Sequence, residues 1–238
     1  MLFAGIPILH RMIGKYLQLA LNWSEVWALL FPLFALLLRP VQPSFLKPVI
    51  VYVWLAFAIN LIIDVIMGLN VHLKQIVESN NPFYNLHSVV RFACFSIFFL
   101  RLRQANFLEA RKWLPVIFGL FLLVNFSVFE NFLNPKHLSG NLFTAESYLL
   151  LVYCLLYYLS ELKSDEGDIF RGADFWITTG LAIYVVINFF VFLFYVPMLD
   201  EDIGLALDIW YVHNIAFILF CLFITKAFYV SAGNKYAI

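Results

Sequence analysis

Charge is the first thing missing from this chain. Only 13% of its 238 residues are Asp, Glu, Lys or Arg, against about 25% in an ordinary soluble domain. Fifteen basic and fifteen acidic side chains cancel, so no overall field marks the chain for nucleic acid. Cysteine is equally scarce. Cys94, Cys154 and Cys221 each fall in an apolar stretch, which excludes a disulfide scaffold or a cysteine metal framework. There is no Gly-rich phosphate loop, no strand-like alternation and no internal repeat. Secreted domains, cytosolic enzymes, coiled coils and disordered chains are thereby set aside. What is abundant is apolar: 63% of residues are hydrophobic and 19% aromatic, with a mean hydropathy of +0.88. A soluble fold of this size has too little polar surface to cover that much hydrocarbon.

The apolar residues gather into runs of the length that crosses a bilayer, about 20 residues each. They are Tyr16–Leu38, Pro48–Leu69, Phe83–Leu100, Trp113–Phe132, Leu142–Leu159, Phe175–Val196 and Leu205–Tyr229. The fold class expected is all-α, an integral membrane bundle of seven helices over 16–229. Residues 1–15 read as an interfacial segment and 230–238 as a cytoplasmic tail. The basic residues Arg11 and Lys15 follow an apolar start, so the N-terminus does not read as a cleavable signal. The first run is the weakest, because Asn22, Ser24 and Glu25 interrupt it, and Pro32 should kink it. Pro48 and Pro115 are expected in first turns, and Pro197 after the sixth run. Ser160–Asp174 reads as a plain charged loop.

Lysine and arginine in the connections set the orientation. One side carries four: Arg11, Lys15, Lys74 and Lys136. The other carries ten: Arg39, Lys47, Arg101, Arg103, Arg111, Lys112, Lys163, Arg171, Lys226 and Lys235. This bias places the C-terminus in the cytoplasm and the N-terminus outside, which requires an odd number of spans.

The ionisable residues left inside the spans are then lopsided. Glu25, Asp64, His87, Arg91, Glu130, Glu146, Asp208 and His213 all fall in the outer half, and only Lys226 lies near the inner end. Asn22, Asn60, Asn125, Asn188 and Asn214 lean the same way. Intramembrane ionisable groups are costly and usually face a bundle interior or a wet cavity. The functional reading is an outward-open polar cup, with Asp64, His87, Arg91, Asn125, Glu146, Asn188, Asp208, His213 and Asn214 as candidate ligand-binding residues. The plain alternative makes Glu130, Glu146 and Asp208 interfacial, each within about two turns of a helix end. Asp64 and Arg91 lie at similar depths, roughly 8 and 12 Å from the outer ends of adjacent spans. An ion pair between them is expected, serving either a ligand or helix packing. His87 and Arg91 share a face at i, i+4. Trp176, Gly180, Tyr184 and Asn188 repeat every four residues as a helix-contact seam, with Gly180 allowing close approach. Asp208, Tyr211 and Asn214 step along one face of the last span, with His213 on another. Tyr148, Tyr153, Tyr157 and Tyr158 read as packing or interfacial residues.

Specific chemistries fit poorly. A retinal-binding lysine belongs midway along the last helix, whereas Lys226 is at its inner end. A zinc hydrolase needs about three convergent ligands, and only His87 and His213, helped by Asp64 or Asp208, are available. No Ser–His–acid spacing stands out, and a transporter's repeats and paired broken helices are missing. The seven-span topology resembles G-protein-coupled receptors, but the span ends FFLRLRQ and ITKAFYV lack their switch motifs. NNPFYNLHSVVRF, ADFWITTGLAIY and HNIAFILFCLF are similar to short motifs of an uncharacterised seven-helix family of Bacteroidota. That resemblance implies a bacterial inner-membrane location and supplies no catalytic residues. Three readings follow. One is a receptor-like sensory module that binds a small-molecule or lipid ligand and signals to a separate protein through Arg101–Lys112. A second is an accessory subunit, and a third an intramembrane enzyme or transporter for a lipid or small solute. No cofactor, metal or nucleic-acid partner is expected.

Overall fold

The computed structural model describes residues 16–73, 79–102, 107–134, 138–163 and 172–231. Met1–Lys15, most of the 230–238 tail, and the loop charges Lys74, Arg103, Lys136, Arg171 and Lys235 lie outside the described residues. No strand occurs among the described residues. Seven main helices follow one another: α1 (Ser24–Leu38), α2 (Lys47–Leu73), α3 (Asn81–Arg101), α4 (Leu108–Val124), α5 (Gly140–Glu161), α6 (Ala173–Glu201) and α7 (Ile203–Ser231). Six spans, Ser44–Ile66 and those built on α3 to α7, are long and apolar enough to cross a membrane. The chain is therefore a multi-pass membrane protein of helical-bundle form. A seventh span results if a lead-in helix, Tyr16–Asn22, is counted with α1, which it meets at 65°.

That bend corrects one expectation. The break falls at Trp23, and α1 runs on through Pro32. The side chains around the break show how it is tolerated. In hydrocarbon, a freed backbone carbonyl needs a donor from within the protein. Here the Ala20 carbonyl accepts from Trp27 Nε1 at 2.7 Å, and the Leu21 carbonyl accepts from Asn214 at 3.1 Å. Asn60 likewise donates to the Glu25 carbonyl at 3.1 Å.

Other ends move outward from the sequence boundaries. α4 begins at Leu108, so Pro115 sits inside it and not in its first turn. It closes in a five-residue π-turn, Asn125–Phe129. α6 carries Pro197 within its last turns and extends to Glu201, leaving Asp202 alone between α6 and α7. Asp202 Oδ1 accepts from the backbone N–H groups of Gly204 and Leu205 at 2.9 and 3.1 Å, which caps α7. Ser139 caps α5 in the same way, accepting from Leu142 N.

The helices close into a ring. α1 packs on α2, α2 on α3, α3 on α5, α5 on α6, α6 on α7, and α7 back on α1. α4 lies outside this ring against α3 and α5, and it is the least buried span. The seam along α6 is real: a Cβ on Gly180 would stand 2.4 Å from Cβ of Phe223 on α7. About a third of the buried hydrophobic core is aromatic. Phe99 stacks on Tyr153 with centroids 5.0 Å apart, and Phe95 meets Tyr52 and Phe220. Tyr153 and Tyr157 are core residues and not belt residues, while Tyr148 is exposed.

Candidate functional site

Arg91 stands at the centre of the polar core. On α3 the positions Asn85, Ser88 and Arg91 advance by threes along one buried face, and that face turns Ser88 and Arg91 toward α5 and α6. Arg91 Nε donates to Glu146 Oε1 at 2.5 Å, and an NH2 proton goes to Glu146 Oε2 at 2.7 Å. Ser88 adds a third donor to the same carboxylate at 2.5 Å. The remaining arm of the guanidinium, NH1, donates to the Tyr184 hydroxyl at 2.7 Å. This is the bidentate geometry that the planar guanidinium favours for a carboxylate. Both charged side chains are almost fully covered, 4% exposed for Arg91 and 1% for Glu146.

The expected Asp64–Arg91 pair does not form. α3 presents His87 to α2, where its ring stacks on Tyr52 with centroids 5.9 Å apart. His87 and Arg91 thus serve different neighbours despite their i, i+4 spacing. Asp64 lies within electrostatic reach of Glu25 and Tyr84 instead, with Oδ2 buried and unpartnered. Glu146 also departs from the interfacial alternative: the second turn of α5 is covered by the ring of helices.

A second ionic group adjoins the first. Glu25, in the first turn of α1, accepts from Tyr84 Oη at 3.2 Å, and its other oxygen lies 3.0 Å from His213 Nε2. The opposite ring nitrogen, Nδ1, meets Asn188 Oδ1 in a short hydrogen bond. Asn188 in turn gives Nδ2 to the Tyr184 carbonyl at 2.7 Å. The Tyr184 backbone and hydroxyl thereby link the two groups. Side chains from α1, α3, α5, α6 and α7 form one buried assembly toward the end of the bundle where α1, α3, α5 and α7 begin.

Four candidates therefore converge: Arg91, Glu146, Asn188 and His213. His87 and Asp64 flank them. Asn214 faces the break in the first span, where it holds the Leu21 carbonyl. Asn125 belongs to a separate cluster in which Glu130 accepts from Asn125 at 2.7 Å and from Ser139 in a short bond. Glu130 and Ser139 border a cleft of about 240 Å³. Asp208 is exposed and joins neither group. Among the candidates absent from the expected set, Glu25 and Tyr184 matter most. Glu25 was visible as one of the outer-half ionisable residues and as an interruption of a weak span, and Tyr184 only as one step of the α6 seam.

The site is covered in this structure, not open as a cup. A larger cleft of about 330 Å³ lies elsewhere, between α6 and α7, lined by apolar residues such as Val186, Phe190 and Val212. Among the described residues, no group of three or more His, Cys, Asp or Glu side chains is placed to hold a metal ion. At the opposite end, Arg111 is fully buried, with its guanidinium 3.3 Å from the Leu156 carbonyl, and Lys112 pairs with Glu109 at 2.6 Å. Arg111 is thus covered by the bundle, and residues 103–106 of the Arg101–Lys112 connection lie outside the described residues. No protein-family model, curated protein or solved structure matches the chain.

Proposed function

We propose that the protein is a receptor-like sensory module of a bacterial inner membrane, oriented with its N-terminus outside. Its polar core is the element that responds to a stimulus from the outer side. The observation that carries this reading is the convergence of Glu25, Arg91, Glu146, Asn188 and His213 from five helices into one assembly. A single exchange of partners there would move several helices at once, because buried ionic groups tolerate few arrangements. The polar groups turn inward, which favours a self-contained module over an accessory subunit using them as seams toward another protein. The response would leave at the inner ends of α3 and α5, where Arg101 and Leu162 are exposed, toward a separate protein partner.

The test is a distance measurement across the membrane. Spin labels at Arg101→Cys and Leu162→Cys, with the three buried cysteines replaced by alanine, report the α3–α5 separation in lipid nanodiscs. Glu146→Gln should shift or broaden that distance distribution although it lies in the far half of the bundle. An unchanged distribution, in a variant shown to be folded, would overturn the reading.

A further inference from the structure

The surroundings of His213 identify what it holds. A neutral imidazole has one N–H donor and one bare acceptor nitrogen. Both nitrogens of His213 face acceptors: Nε2 meets a carboxylate oxygen of Glu25 at 3.0 Å, and Nδ1 meets Asn188 Oδ1. The amide cannot be turned to relieve this. Asn188 Nδ2 already donates to the Tyr184 carbonyl at 2.7 Å, and a reversed amide would set oxygen against oxygen. Two protons are therefore required along the line from Asn188 through the ring to Glu25, one more than a neutral histidine beside a carboxylate supplies.

The ring's neighbours agree. Trp210, Phe192 and Tyr184 place their centroids 4.9, 5.4 and 5.9 Å from that of His213. Aromatic rings within about 6 Å stabilise a cation. Of the other groups, Arg91 is committed to Glu146, and His87 lies within electrostatic reach of both Arg91 and His213. Asp64 from α2 and Tyr84 from α3 lie beside Glu25.

We propose that Glu25 and His213 form a buried proton-binding site, in which one exchangeable proton is held between the Glu25 carboxylate and His213 Nε2. With the proton present, the pair is an imidazolium and a carboxylate, net neutral. On release, the Nε2–H bond breaks and the proton passes to Glu25, whose side chain keeps 12% of its surface exposed, and from there to water. The pair left behind carries one uncompensated negative charge in a low-dielectric interior, a state that favours rearrangement of α1 against α7. The stimulus for the polar core is then the proton itself. This deepens the sensory reading by naming its ligand.

The experiment uses the full chain in lipid nanodiscs, labelled with 15N at its five histidines, with magic-angle-spinning NMR at pH 7. His213→Gln identifies the ring signal by its loss. Free imidazole, with a midpoint near ~6.5, is mostly neutral at this pH. The expected result is a His213 ring protonated at both nitrogens, or a neutral ring with a carboxylic-acid infrared band that Glu25→Gln removes. The doubly protonated signal should be lost in Glu25→Gln and kept in Tyr84→Phe, which removes only the bond to the other carboxylate oxygen. A neutral ring beside an ionised Glu25 in the wild type overturns the proposal, as does a protonated ring indifferent to Glu25→Gln. The wild-type spectrum decides even if a variant fails to fold. A neutral ring beside an ionised Glu25 would leave the label-distance test standing, and unchanged label distances would leave the ring's protonation intact.

Discussion

Removing the carboxylate from Glu146 should be among the most damaging single changes in the chain, and its size follows from the geometry. Glu146 receives three donors, two from Arg91 and one from Ser88, at 2.5 to 2.7 Å. Glu146→Gln keeps the shape but offers one acceptor oxygen and turns an NH2 toward donors. Arg91 then stays charged and buried with only neutral partners, the Gln amide oxygen and Tyr184. Charge centres about 4 Å apart attract by about 4 kcal/mol at an effective dielectric of 20. Losing one partner of a buried pair costs about 3–5 kcal/mol. The two estimates agree, so Glu146→Gln and Arg91→Gln should each destabilise the fold by about 3–5 kcal/mol. The paired replacement Arg91→Met with Glu146→Leu should recover most of that loss, because no charge is left unpaired. The assay is reversible unfolding in mixed detergent–lipid micelles, read by circular dichroism, with the single variants Arg91→Met and Glu146→Leu completing the double-mutant cycle. Asp64→Asn serves as the control and should show no coupling to Arg91. Single losses below about 1 kcal/mol, or a double variant as unstable as the two losses combined, would refute the reasoning.

Two further outcomes are expected. Gly180→Ala places a methyl group 2.4 Å from Phe223 Cβ, an overlap that rotamer changes cannot relieve. It should destabilise the bundle by about 1–3 kcal/mol in the same unfolding assay, whereas Gly119→Ala, with open space around it, should be neutral. Cysteine accessibility tests the end of α4: Lys112→Cys should react with a membrane-impermeant maleimide and Arg111→Cys should not, since Arg111 is fully buried. Reaction at 112 from the cytoplasmic face alone would support the orientation read from Lys and Arg placement, and reaction from the outside would reverse it.

Much of the bundle was legible in the residues because bilayer thickness imposes a length on every apolar run. α3, α5, α6 and α7 each differ from the expected spans by a few residues at their ends. The larger errors had local causes. α4 starts early because LEARK, a polar stretch, is a good helix former that simply extends the helix beyond its apolar run. The first span breaks at Trp23 and not at Pro32. A proline removes one donor, but side chains able to take up carbonyls must lie near for a full break, and Trp27 and Asn214 lie near Ala20 and Leu21.

The pairing of Arg91 was less legible, and the reason is directional. Depth along the membrane made Asp64 and Arg91 plausible partners, but depth says nothing about which neighbour a helix face meets. One turn of α3 sends His87 to α2 and Ser88 with Arg91 to α5 and α6. The order of helices around the ring therefore decided the partner, and that order depends on α4 stepping outside to let α3 touch α5. With α4 displaced, Glu146 becomes adjacent to Arg91. Asp64 is left beside Glu25, whose remaining oxygen faces His213. The helix order that gives the arginine to Glu146 leaves Glu25 to the histidine, so on the proton-binding proposal the proton, not the guanidinium, is the variable charge of the core.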